Sequence, residues 1–301
     1  MKKVVIFAIA LLLSVANMYA QNVSIGVKGG LSIPNLTTGG KEYDTPVSEG
    51  YASRMAAGGG IVVDFHLTKI FAIQTGLEYS GQGGKKKGVQ ALPGEPIFED
   101  IKGSIGMQPG GEQLVQIFET LQLPPYVYAD CNSVAKFNYI MLPVQAKFGW
   151  KLSETPWKVY VTGGIFGSYL LSTTRELKGT SAMYADNNKT SMSNYWSSIS
   201  TSLPLPPEVI GAFSAIFAGM DMPQPLDGKE NMKDDINPFN FGVIGSVGLS
   251  YNISGRNRIF LEGGGNYGFN KLQKDDMNGR NRIGAGTVML GISRTLRKNK
   301  S

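Results

Sequence analysis

The chain has 301 residues and a formal charge of +6, two units of which come from Lys2 and Lys3 at the N-terminus. So small and dispersed a surplus argues against nucleic-acid binding. A single cysteine, Cys131, excludes a disulfide-stapled secreted domain, and a single histidine, His66, argues against a His/Cys metal centre.

Met1-Lys2-Lys3, the apolar run Val4 to Val15 and Ala20 before Gln21 supply the three parts of a secretory signal. Its apolar core is too short to span a membrane as a helix. Cleavage is expected after Ala20, leaving residues 21–301 as one domain.

Val23 to Leu31 opens that domain with strict alternation: Val23, Ile25, Val27 and Leu31 against Ser24, Gly26, Lys28 and Gly30. A period of two means strand. Ser32 to Ala56 is a polar loop. A second strand, Gly59 to Leu67, sets Ile61, Val63 and Phe65 against Asp64 and His66. After a short turn at Thr68-Lys69, a third sets Phe71, Ile73, Leu77 and Tyr79 against Gln74 and Glu78.

Residues 81–135 read as a long insertion. The fourth strand, Lys136 to Trp150, changes phase from odd Phe137 and Tyr139 to even Leu142, Val144 and Phe148, which predicts a bulge near Met141-Leu142. Trp157 to Ser172 is the fifth strand, and residues 173–235 are a second long insertion. Phe239 to Phe269 forms two strands around the turn Ser254-Gly255-Arg256-Asn257, and Arg282 to Leu296 is the eighth.

Connections alternate between long and short, the rhythm of an outer-membrane barrel with short periplasmic turns and long extracellular loops. The expected fold is therefore all-β: an eight-stranded antiparallel up-and-down transmembrane β-barrel whose two long extracellular loops carry short helices. Aromatic residues bound the apolar face of the Phe239 to Phe269 hairpin. From Phe241 to Tyr251 the strand measures about 33 Å, or roughly 25 Å of height at a tilt of about 40°. Phe239, Phe241, Tyr251, Tyr267 and Phe269 are the expected membrane girdle. The opposite face is rich in Gly, Ser and Asn, which suits a crowded lumen better than a solvated surface. A soluble lipocalin-like barrel, with its apolar face inward, is the competing arrangement.

Lys28, Asp64, His66, Glu78, Lys147 and Glu262 fall on the lumen face, where isolated charges are costly. An interior polar network with Lys28 and Lys147 as cations is expected. Helical spacing in both insertions, at Glu112 to Leu121 and Pro207 to Met220, suggests either a cap over the barrel or a partner-binding surface formed by Val209, Phe213, Ile216, Phe217 and Trp196. Gly263-Gly264-Gly265-Asn266-Tyr267-Gly268 matches a dinucleotide pattern but sits inside a strand and leads into no helix, so no nucleotide is expected. His66 adjoins a periplasmic turn, away from where an outer-membrane enzyme would act. No catalytic, cofactor or metal residues are expected, and a small pore conflicts with an interior that eight strands fill.

Phe137-Asn138-Tyr139-Ile140-Met141-Leu142-Pro143-Val144, Gly163-Gly164-Ile165-Phe166-Gly167-Ser168-Tyr169-Leu170-Leu171 and Asn266-Tyr267-Gly268 resemble the PorT-like outer-membrane β-barrel family of Bacteroidetes. The resemblance covers the strands and not the two large loops. It implies an outer-membrane barrel in contact with lipid, and a link to protein secretion, the process in which one component of the family takes part. Such barrels often end on an aromatic residue, whereas this chain ends Thr295-Leu296-Arg297-Lys298-Asn299-Lys300-Ser301. The expected function is thus a non-enzymatic, monomeric outer-membrane barrel whose loops meet a protein partner. A lipid- or peptide-modifying enzyme and a small pore are the alternatives.

Overall fold

The computed structural model describes residues 22–37, 45–275 and 280–297, so the expected signal lies outside the described residues. Eight long strands form one antiparallel ring. They are β1 (Asn22–Thr37), β2 (Ala56–His66), β3 (Phe71–Pro93), β4 (Tyr126–Lys151), β5 (Trp157–Lys178), β6 (Phe239–Asn252), β7 (Asn257–Gly268) and β8 (Arg282–Arg297). Each pairs with its chain neighbours, and β8 returns to β1 in unbroken register from Val23↔Leu296 to Leu36↔Ile283. Closure satisfies the backbone polar groups without a free edge, which strands crossing lipid require.

Alternation puts the apolar residues outside. Ile25, Val27, Leu31, Ile61, Val243, Val247, Leu261, Val288, Leu290 and Ile292 are all exposed. Aromatic contacts mark both ends of this band. Tyr169 and Phe239 (5.1 Å between ring centroids) and Phe241 and Phe269 (5.9 Å) lie at the extracellular end, with Tyr267 beside Phe269 (6.1 Å). Trp157 and Tyr251 (4.8 Å) and Phe71 and Phe148 (4.9 Å) lie at the periplasmic end. A lipocalin-like arrangement would bury this face, so the outward band excludes it.

Two expectations need correction. The first insertion is mostly strand: β3 and β4 continue beyond the girdle in register from Gly81↔Asn138 to Pro93↔Tyr126. Residues 81–88 carry four glycines and three lysines. Above the bilayer nothing demands an apolar outer face, so the alternation disappears although the hydrogen-bonded ladder does not. β1 likewise extends to Thr37 and β5 to Lys178.

The bulge is also elsewhere. Phe137, Tyr139, Met141 and Gln145 are all buried on the inward face of β4, which keeps one phase throughout. Its pattern changes because the inward positions are apolar near the extracellular end and polar below. The register instead steps in β5, between Asn138↔Ser172 and Tyr139↔Leu170, leaving Leu171 as the extra residue. Leu171 and Ser172 are accordingly both exposed in succession.

Glycine lets the wall close tightly at Gly264, where a Cβ would come within 2.4 Å of the Gly245 carbonyl oxygen. The dinucleotide-like run is therefore strand interior in close cross-strand contact.

Above the ring, the two large loops supply four helices: α1 (Gly94–Gly106), α2 (Gly111–Thr120), α3 (Met192–Ser200) and α4 (Pro207–Met220). Pro207 opens α4, where a missing N–H costs nothing. Ser191 caps α3 by accepting from the Asn194 amide.

Candidate functional site

From periplasm to cell surface, the interior is layered. Inward positions of β1, β2, β3 and β7 bring Lys28, Asp64, Glu78 and Glu262 into the lumen, because each lies on the even phase of its strand. Lys28 Nζ stands 2.9 Å from Glu78 Oε1 and 3.3 Å from Glu262 Oε2. Tyr160 donates its hydroxyl to Glu262 Oε1 at 3.0 Å. Lys147 Nζ reaches Asp64 Oδ2 at 2.9 Å, and Gln74 donates to Asp64 Oδ1 at 2.7 Å. The Lys147 ammonium also lies 4.4 Å from the centre of the Tyr160 ring.

The structure thus gathers the lumen charges into two groups, Lys28–Glu78–Glu262 and Lys147–Asp64. His66 lies beside the second group but is hydrogen-bonded elsewhere: its Nε2 is 2.9 Å from Ser24 Oγ, which in turn contacts Thr295 Oγ1. That Ser–His contact has the spacing of a nucleophile and base. A third member is missing, since the Asp64 oxygens are taken by Gln74 and Lys147 and Ser24 is buried. Among the described residues no group of three or more His, Cys, Asp or Glu side chains could hold a metal ion.

Two elements of this network were not expected from sequence. Tyr160 fills the lumen beside Glu262. Gln145, Thr162 and Ser246 form a chain in which Thr162 Oγ1 donates to Gln145 Oε1 at 2.8 Å and meets Ser246 Oγ at 2.7 Å. All lie on inward phases, so extending the alternation would have found them. A cavity of about 30 Å³ lies among Lys28, Glu78, Gln145, Ser246 and Glu262, room for a water or two.

An apolar plug follows above. Leu36, Ala135, Phe137, Tyr139, Leu170, Ile236, Leu272 and Ile283 form one buried cluster across the extracellular half of the lumen. The loops seal its edge: Asn281 donates to the Ser48 carbonyl at 3.0 Å, and Lys86 reaches the Val47 carbonyl at 2.5 Å and lies over the Tyr51 ring at 4.2 Å. Burial and the nearby Arg175 guanidinium pull the Lys86 pKa down to about 8.

The cap has its own core of Phe98, Ile105, Phe118, Val127, Met192, Trp196, Phe213, Phe217 and Met220. Phe118 from the first large loop meets Phe213 from the second at 5.9 Å, and Trp196 stacks on Phe217 at 5.2 Å. This corrects the expected interaction surface. Phe213, Phe217 and Trp196 are fully buried, and Val209 and Ile216 pack half-buried against them. The exposed face is a different one: Glu95, Glu99, Asp100, Glu112 and Glu119 on α1 and α2, with Met107 88% exposed between the helices. Lys102 bridges Glu99 (2.6 Å) and Glu119 (3.4 Å) across that face.

Residues 19–274 match the family model described as outer membrane protein beta-barrel domain. No curated protein matches the chain. Among solved structures, neisserial surface protein A is similar at 9% identity and a TM-score of 0.34, over 90% of this chain and 96% of that one. The outer membrane protein OprG from Pseudomonas aeruginosa is similar at 5% and 0.36, over 92% and 98%. The outer membrane protease OmpT from Escherichia coli is similar at 9% and 0.39, over 92% and 97%. At such values these likenesses speak to neither activity nor partner.

Proposed function

The chain belongs to the outer membrane protein beta-barrel domain family, and from that premise we propose that it is a non-enzymatic outer-membrane protein whose extracellular cap binds a protein partner. The carrying observation is the fusion of helices from two separate loops around one apolar core. Ordering those loops costs conformational entropy that free loops would not incur, so a fixed surface is the gain. The surface offered is the acidic face of α1 and α2 with Met107 exposed in the turn that joins them, an arrangement suited to a basic partner carrying an apolar anchor. The resemblance to PorT-like barrels supports protein secretion as the process served, with residues 1–20 as a cleaved signal.

Photocrosslinking from position 112 on intact cells tests this. A specific adduct is expected, and it should be lost when Glu99→Lys and Glu119→Lys reverse the face. Absence of any adduct from the cap would count against the reading. The enzyme alternative rests on the Ser24–His66 contact and would require an activity that His66→Ala abolishes. A pore would require a path through the Phe137–Leu170 plug, and steady conductance of the intact protein in a planar bilayer would establish one.

A further inference from the structure

The periplasmic mouth is as strongly charged as the cap, with the opposite sign. His66, Lys147, Lys158 and Arg258 line one small pocket there, together with Tyr160 and Ser250. Only Lys147 has a carboxylate partner, Asp64. Among the described residues Lys158 donates to no side chain; its contact is the Lys69 carbonyl at 3.4 Å. Arg258 donates through Nε to the neutral Asn252 at 3.1 Å. Neither forms an ion pair with a described residue.

Their placement carries a cost that the fold accepts. Lys158 stands directly across the β4–β5 ladder from Lys151, and like charges at such a position destabilise a sheet. Gly149 gives Lys158 its room: a Cβ there would lie 2.9 Å from Lys158 Cε and 3.3 Å from its Nζ. Outside the pocket, Lys69, Lys151 and Arg256 are exposed around the rim, with Glu154 the one acidic residue among the short turns. Cations concentrated in a concave, partly buried mouth produce a focused positive potential.

We propose that the periplasmic mouth docks an acidic polypeptide segment of a periplasmic partner. One carboxylate covers the opening of the pocket, where Lys158 and Arg258 line it, and further carboxylates lie on the basic rim. The pocket opens inside the ring of strands, toward water, where a lipid anchored outside the barrel does not reach. Its volume of about 10 Å³ is room for no more than about one water, so the carboxylate sits at the opening and the rest of the segment lies on the rim.

Fluorescence anisotropy of labelled hexaglutamate with the full mature protein in phosphatidylcholine nanodiscs tests this. Binding is expected to weaken at least tenfold in Lys158→Gln/Arg258→Gln and to fall steeply between about 50 and 300 mM salt. Heat-modifiable gel mobility of the double variant reports that its barrel is formed. Hexalysine should not bind. Binding that survives the double substitution overturns the proposal. So does binding that disappears when phosphatidylglycerol enters the disc, which would assign the site to lipid headgroups.

Discussion

Lys28 and Glu78 meet at 2.9 Å in the middle of the barrel, with side chains only 6% and 5% exposed. Glu78 Oε1 has no hydrogen-bond donor besides that ammonium among the described residues. Lys28→Met would strand Glu78 and Glu262 together in a closed lumen. Removing one partner of a buried pair costs about 3–5 kcal/mol, and here two carboxylates lose the same cation. Urea unfolding of the variant in lipid should show that loss. Glu78→Gln and Glu262→Gln added to Lys28→Met should restore most of it; no recovery in the triple variant would show that Lys28 acts through packing instead.

Val247 tests the address of the apolar band. It is 63% exposed midway between the two girdles and pairs with Gly263 and Val161 on neighbouring strands. Arginine at a lipid-facing midplane site costs about 2–4 kcal/mol, whereas a water-exposed valine would tolerate it. Val247→Arg should therefore lower stability in bilayers by that amount, while Ser246→Ala, on the opposite face, should cost less.

The cap predicts a local effect. Trp196→Ala would empty a site where the indole stacks on Phe217 and donates to Ser214 Oγ at 3.1 Å. A fully buried tryptophan truncated to alanine costs about 3–5 kcal/mol. Hydrogen exchange should accelerate across α3 and α4 while the amides of β6 and β7 keep their protection. Equal loss in both regions would mean that cap and barrel fold as one unit.

How far these features can be seen without coordinates follows from what surrounds each segment. Lipid outside and a crowded lumen inside impose opposite demands on successive residues, so the bilayer part of β6 and β7 is legible residue by residue. Past the girdle only the inward side is constrained. Tyr126 to Val134 still alternates, yet Gly81 to Gly88 does not, and the pairing of these stretches shows only in three dimensions. Phe213, Phe217 and Trp196 carry a helical apolar period that identifies a buried stripe without saying what covers it. That covering came from a second loop nearly a hundred residues away. Lys158 and Arg258 lie on readable inward phases, but that no described carboxylate pairs with either is a property of the assembled mouth.

Lys86 provides the last prediction, and its sign follows from linkage. The group lies beyond the extracellular girdle, buried over Tyr51, with its pKa lowered from 10.5 to about 8. In a locally opened mouth it would titrate near the ordinary lysine value. Below pH 8 both states carry the proton, and the closed mouth bears the full cost of a buried charge. Between about 8 and 10.5 the opened state binds the extra proton, so closed-state stability rises with pH across that window. Carbon-13 NMR of the Lys86 Cε should give a midpoint near 8. After correction for intrinsic exchange, the Ala52 and Lys85 amides, which exchange backbone hydrogen bonds at 2.8 and 2.9 Å, should become better protected from pH 8 to 10. Lys86→Met should flatten that slope, and an unchanged slope in the variant would place the titrating group elsewhere.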